Sequence, residues 1–348
     1  MSKHAISFGT SYAECRERFR TAAAARSLPV TSIRHPHLDA DVTVDAVTLG
    51  GPDAANLRVV IAGAHGVELP FGSAVQTDWL AGGGEAPADT AVLLVHAINC
   101  AGAFQRRRNT DGNIDLCRNF RDGGELPRNP AYERLAADLN APPGDAAADA
   151  NLAAARTEMG QTFIHAIMGG QFIDPTGFSY GGLAPTWSRR TLESLLLSHA
   201  GASDVVILDL HTGVGPFAEP TFVCLQEGSA LAAARRRFGD DLLAPMEQAP
   251  GRVLHPAVGH PTEGYERLFP AAAVVSVVLE MGTCPPDETL PVLIEEHRLT
   301  RAGLADTGAG QAMRTTMWEQ HAPVDDRWRE AVLRHGRAAM QALIRGTC

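Results

Sequence analysis

No apolar run in this sequence reaches the roughly 18 residues that a membrane-spanning helix needs, so no membrane partner is expected. Positive charge is also in short supply. Thirty Lys and Arg stand against forty Asp and Glu, a formal net charge of −10. Nucleic acid is therefore not expected as a partner, because phosphate binding needs a surplus of Lys and Arg on one face. The six cysteines (Cys15, Cys100, Cys117, Cys224, Cys284 and Cys348) include no CxxC pair. The opening stretch MSKHAISFGTSYAECRERF has no apolar secretory core and reads as a polar loop entering a helix. Reduced thiols and a cytoplasmic location are the expectation. Arginine far outnumbers lysine and alanine is abundant, which reads as genomic bias.

What the sequence does contain is an ordinary globular composition. It has 348 residues, 45% hydrophobic and 20% charged, enough for a sizeable core. Val42 to Leu49 reads as a strand, and short, largely apolar runs recur at LRVVIA (57–62), AVLLVHA (91–97), VVILDL (205–210) and AVVSVVL (273–279). Such runs fit strands covered on both faces. Helical patterns lie near 11–27, 131–139, 147–168, 186–200, 229–245, 290–305 and 326–344, with a further helix starting near Leu69. Alternating strands and helices give an α/β class: one three-layer α/β/α domain spanning 1–348, with a mixed, mostly parallel sheet. The segment 121–187 is rich in Gly, Pro and Ala. It reads as a long insertion that shapes a pocket.

Three of these strands run into metal-type side chains. VVIAGA leads to His65-Gly66-Val67-Glu68, VVILDL to His211-Thr212-Gly213, and AVVSVVL to Glu280-Met281-Gly282. Ligands of open α/β sheets bind outside the carboxyl ends of strands. His65 and Glu68, three apart across a loop and a first helical turn, can reach one ion, with Gly66 allowing a sharp turn. His211 completes a His2Glu set, the donor pattern of a catalytic zinc site with one position open to water. Such an ion lowers the pKa of bound water and polarises a carbonyl. A separate carboxylate must carry the proton to the leaving nitrogen, and Glu280 is the candidate. Asp209, two residues before His211, points to the same side by strand alternation. The run Arg106-Arg107-Arg108 suits a carboxylate-binding site better than lysines would. No ligand role is placed on His96, His165, His255 or His260.

The segments AGAHGVELPFGS, QRRRNTDGNIDLCRNF, GGQFIDPTGFSYGG, LDLHTGVGP and VVLEMGT lie in that order between residues 60 and 284. In these the sequence resembles the zinc carboxypeptidase (M14-like) superfamily, and within it the DUF2817 branch. It is also similar to the aspartoacylase and succinylglutamate desuccinylase group. The resemblance implies one Zn2+ per chain on His65, Glu68 and His211, with Glu280 as general base. It implies that Asp115 orients the first histidine, as Asp209 would the other. It implies substrate contacts from Arg118, Arg107, Asn119 and Tyr265, with Tyr180 as the alternative tyrosine. There is one departure: the Asn expected before Arg118 is Cys117. A thiol is a weak donor and does not reproduce amide geometry.

Three readings follow. The first is a metallocarboxypeptidase-like hydrolase acting on a small peptide beside its carboxylate. The second is a zinc amidohydrolase acting on a small N-acyl amino acid. The third is a non-catalytic metal-binding protein of the same fold, disfavoured because all three ligands and the base are present. The sequence does not give the oligomeric state.

Overall fold

The computed structural model describes residues 7–244 and 258–345, and within them an α/β fold on one seven-stranded mixed sheet. The strands are β1 (Thr31–Arg34), β2 (Thr43–Leu49), β3 (Asn56–Ala62), β4 (Thr90–His96), β5 (Asp204–Thr212), β6 (Pro220–Val223) and β7 (Ala273–Met281). Their order across the sheet is β1-β2-β4-β3-β5-β7-β6. The four central strands β4, β3, β5 and β7 run parallel. The three outer strands pair antiparallel. Four of the seven strands are thus parallel and central, where both faces are covered, in line with the expected mixed sheet.

Alternation explains the two cores. Val59, Ile61, Leu93, Val95, Val205 and Ile207 point into one apolar cluster. Their neighbours Val60, Val92, Leu94, Val206 and Leu208 point into the other. A side-chain period of two sends successive residues to opposite faces, so an unbroken apolar run feeds both layers at once.

The helices are α1 (Tyr12–Ala24), α2 (Leu69–Ala81), α3 (Cys100–Gln105), α4 (Pro130–Leu139), α5 (Ala146–Met159), α6 (Gln161–Met168), α7 (Trp187–Leu197), α8 (Gly228–Phe238), α9 (Pro261–Leu268), α10 (Pro286–Arg301), α11 (Gly308–His321) and α12 (Asp326–Ile344). Side-chain caps mark several starts: Ser11 accepts from Glu14 N, Asn129 from Tyr132 N, and Asp325 from Trp328 N. Phe71 and Val75 of α2 pack with Trp328 and Val332 of α12 on one face. Leu135 of α4, Phe163 of α6 and Leu293 of α10 pack on the other. No helix among the described residues is long and apolar enough to cross a membrane.

Four differences from the sequence reading affect the site. The expected helix over 147–168 breaks at Gly160, whose φ of 56° sits in the left-handed region, so α6 takes its own direction. The helix expected from 290 begins at Pro286, a first-turn proline, and carries Pro291 inside it. The helix expected over 229–245 ends at Phe238, and residue 245 lies outside the described residues. The elements α3, α9, α11, β1 and β6 were not expected.

Candidate metal centre

β3 ends at Ala62, and the chain passes through His65 into a 3-10 turn, Gly66–Glu68, that feeds directly into α2. Gly66 is required for space and not for an unusual φ. A Cβ there would lie 2.2 Å from Ala103 N and 2.5 Å from Arg107 O. The turn presses against α3, and this fixes where His65 and Glu68 point.

β5 and β7 deliver the second half of the site. In their parallel register His211 is the partner of Glu280. His65 Nδ1 lies 2.9 Å from Glu68 Oε1, and His211 Nδ1 lies 3.0 Å from Glu68 Oε2. The Thr212 amide donates to the same Oε2 at 3.1 Å. Thus one buried carboxylate faces two imidazoles from different strand ends. The outer nitrogen of each ring also meets a carboxylate: His65 Nε2 is 3.1 Å from Asp115 Oδ1, and His211 Nε2 is 3.2 Å from Asp209 Oδ2.

Asp115 heads a second 3-10 turn, Leu116–Arg118, and accepts from the Cys117 amide at 3.0 Å. Its other oxygen receives Arg108 Nη2 at 3.2 Å, and Arg108 Nη1 lies 3.5 Å from Glu68 Oε1. These groups form the floor of a cavity of about 300 Å³ that also includes Cys117, Arg118 and Glu280. Ile164 and Met168 of α6, with Leu290 and Leu293 of α10, make an apolar wall. The segment 121–187 therefore contributes to the cavity through α6.

The charges follow from this packing. Burial and Arg108 oppose protonation of His65, but the charges of Cys117, Glu68 and Asp115 outweigh them and hold its pKa well above the usual value. His211 is likewise raised against its burial, by Asp209 and Cys117. Glu68 and Asp115 sit well below the carboxylate range despite burial, Glu68 because of the two histidines and Asp115 because of Arg108 and His65. The Cys117 thiol is lowered although buried, because both histidines face it. Glu280 is the exception. Burial, with Glu68 adding to it, pushes its carboxyl up to about 7, and the Val214 amide approaches its Oε2 at 3.4 Å.

The other candidates are placed as follows. Arg118 lines the cavity, with Nε and Nη2 on Met168 O at 3.1 and 2.6 Å and Nη1 on Cys117 O at 2.8 Å. Arg107 does not line it. Its Nε is 3.0 Å from Glu296 Oε1 in a buried ion pair with α10. The cavity arginine of that run is Arg108. Asn119 is also outside the lining: its amide donates to Gly181 O and Ala184 O at 2.8 and 3.0 Å, and its oxygen accepts from Thr186 N at 2.8 Å. It ties a loop together. Tyr265 is 1% exposed, packs edge-on against Phe120 and does not line the cavity. Tyr180 is also buried outside the cavity lining, and its carbonyl receives the Asp115 amide at 2.8 Å.

Sequence reasoning missed Arg108 as the cavity arginine and His321 of α11, which also lines the cavity. His260 lines it too, while His96 and His165 do not, and His255 lies outside the described residues. A signal for Arg108 existed, since it is one residue from Arg107. His321 had none, because α11 went unrecognised.

Several solved structures are similar to this one. Carboxypeptidase A from Helicoverpa armigera shares 13% identity, covering 88% of this chain and 73% of that one, with a TM-score of 0.47. Succinylglutamate desuccinylase from Chromobacterium violaceum shares 16%, covering 91% and 76%, with a TM-score of 0.37. Bovine thrombin-activatable fibrinolysis inhibitor shares 10%, covering 95% and 99%, with a TM-score of 0.45. At these identities and scores the likeness says nothing of activity. Among curated proteins, none matches this sequence. Residues 8–335 match the family described as "Protein of unknown function (DUF2817)", and the chain belongs to that family.

Proposed function

We propose that this chain is a metal-dependent hydrolase that holds one divalent ion, zinc by preference, on His65, Glu68 and His211. It would cleave an amide or peptide bond beside a carboxylate. The observation that carries this reading is the approach of two imidazole Nδ1 atoms, at 2.9 and 3.0 Å, to the two oxygens of one buried carboxylate. By residue type the donor set suits a divalent ion, and the donor atoms lying within 4.8 Å of one another are those of His65, Cys117 and His211. The set offers two nitrogens and a carboxylate, and Asp115 and Asp209 behind the rings fix their orientation, as partners behind metal-bound histidines do. It leaves a position for water, as catalytic zinc sites do.

A bound ion would polarise the substrate carbonyl and lower the pKa of water toward about 7. The chain's own groups do the rest. Glu280, half-buried at the cavity floor with its carboxyl near 7, would take a proton from water on its Oε and return it to the leaving nitrogen. Asp115 and Asp209 hold His65 and His211. Arg108 offsets the charge of Glu68 and Asp115 beneath the cavity floor. Arg118, with Arg108, gives the cavity a positive side for a substrate carboxylate, and α6 and α10 exclude water from the apolar side.

The cavity of about 300 Å³ lies at the small end of ligand clefts. That size favours an N-acyl amino acid or a very short peptide over a long chain. The test is a panel of N-acyl amino acids and di- and tripeptides with zinc-loaded protein. Turnover that requires both metal and a free substrate carboxylate is expected. Inactivity across the panel of a protein shown to hold one zinc ion would contradict the reading.

A further inference from the structure

The proposed ion site leaves one of its closest neighbours without a task. Cys117 Sγ and one nitrogen each from His65 and His211 lie within 4.8 Å of one another, and all three residues are buried. This is the one such group of three metal-type side chains found among the described residues. Cys15, Cys100 and Cys224 are buried as well, yet none belongs to a cluster of this kind. An ion with bonds of about 2.0–2.3 Å in tetrahedral geometry keeps its donors roughly 3.3–3.8 Å apart. The cluster, within 4.8 Å, is at most about 1 Å wider than that spacing, a gap that side-chain rotation could close.

The local backbone places the thiol there. Asp115 Oδ1 receives the Cys117 amide at 3.0 Å and faces His65 Nε2 at 3.1 Å. One carboxylate oxygen thus sets both the His65 ring and the turn that carries the thiol. Arg118 Nη1 donates to the Cys117 carbonyl at 2.8 Å and locks the far side of the same residue. Cys117 also lines the cavity beside Glu68 and His211, so its sulfur borders the space an ion would take.

We propose that the Cys117 thiolate is a donor to the same ion as His65, Glu68 and His211, giving a His2GluCys set. This inference rests on the ion-site reading above and adds to it. Two consequences follow. A thiolate donor favours zinc or cobalt over magnesium, calcium or manganese, which prefer all-oxygen sites. A fourth protein donor would take the position that His65, Glu68 and His211 alone leave to water. Water or substrate would have to displace the thiolate, so Cys117 would hold the site back until substrate arrives.

The test is X-ray absorption at the zinc edge on the full chain loaded with one zinc ion. A sulfur neighbour at about 2.3 Å is expected. It should vanish in Cys117→Ala, with zinc affinity falling by about tenfold or more, at least the cost of losing an outer-shell partner. The cobalt-loaded protein gives a second readout: a thiolate-to-cobalt charge-transfer band in the wild type that is lost in Cys117→Ala. Zinc bound with nitrogen and oxygen neighbours alone overturns the inference and leaves the hydrolase reading standing. A sulfur neighbour that persists in Cys117→Ala overturns it too, by assigning the sulfur to another thiol. A folded wild-type protein that binds no zinc overturns both readings. The wild-type spectra do not depend on how well the variant folds.

Discussion

The floor of the cavity comes from the ends of β3, β5 and β7, whereas its apolar wall comes largely from α6 and α10. The floor is held by hydrogen-bonded register between almost wholly buried strands, so His211 and Glu280 are adjacent by construction. The wall sits on helices that lie beyond a helix break at Gly160 and beyond a proline start at Pro286. Floor residues should therefore control chemistry and ion binding, and wall residues should control which substrate is held. Strand ends and helices would then divide the two tasks, as scaffold and loops do in many enzymes.

The sharpest way to break that division is Glu280→Gln. It should lower kcat by about 10²–10⁴-fold, the usual worth of a general base, while metal content stays at the wild-type level. Glu280 must be deprotonated to accept a proton, and its carboxyl is raised to about 7 by burial and by Glu68. Activity should therefore rise as pH increases through this region and fall below it. A bound cation shifts that midpoint downward, and Glu280→Gln should abolish the acid limb of the kcat profile. Full activity in Glu280→Gln would remove the floor's claim to the chemistry.

Arg107→Ala separates the two neighbouring arginines. It removes the nearer of two arginines from buried Glu296, which keeps Arg314 at 3.4 Å and Thr300 at 2.8 Å, so urea unfolding should show a loss of about 1.5–3 kcal/mol, the usual worth of a hydrogen bond to a charged group. KM of the folded fraction should not change, whereas a large rise in KM with unchanged stability would restore Arg107 to the substrate. Asp115→Asn keeps the turn's cap but removes a charge behind His65, and zinc affinity by dialysis should fall about 10–100-fold. Met168→Ala in the wall should raise KM by up to about tenfold, in line with small apolar contacts. Loss of metal in that variant would mean that wall and floor are one unit.

The floor was legible in the sequence because each proposed ligand lay at or just beyond the end of a strong apolar strand, and strand ends on one edge of a parallel sheet meet in space. Alternation correctly placed Asp209 beside His211. The arginine run was not legible in the same way. α3 ends at Arg106 with φ 54°, so Arg106, Arg107 and Arg108 leave it along an irregular path with no period. Arg106 lies over Trp318, Arg107 pairs with Glu296 and Arg108 reaches the floor. Asn119 and Tyr265 belong to the same class of error, because a family motif gives a residue's place in the chain but not which way its side chain turns. α11 was missed because it opens on Gly308 and Gly310, poor helix formers whose start depends on the Thr307 cap. β6 has four residues beginning with a proline at the sheet edge, too little pattern to read.

The central claim is that His65, Glu68 and His211 hold an ion. The direct measurement is metal content after equilibration with zinc, by elemental analysis, for wild type and His211→Ala, with circular dichroism to show that both are folded. The account predicts about one ion per wild-type chain and almost none in the folded variant. A folded wild-type protein without bound zinc, or a His211→Ala protein that keeps its ion with undiminished affinity, would contradict it.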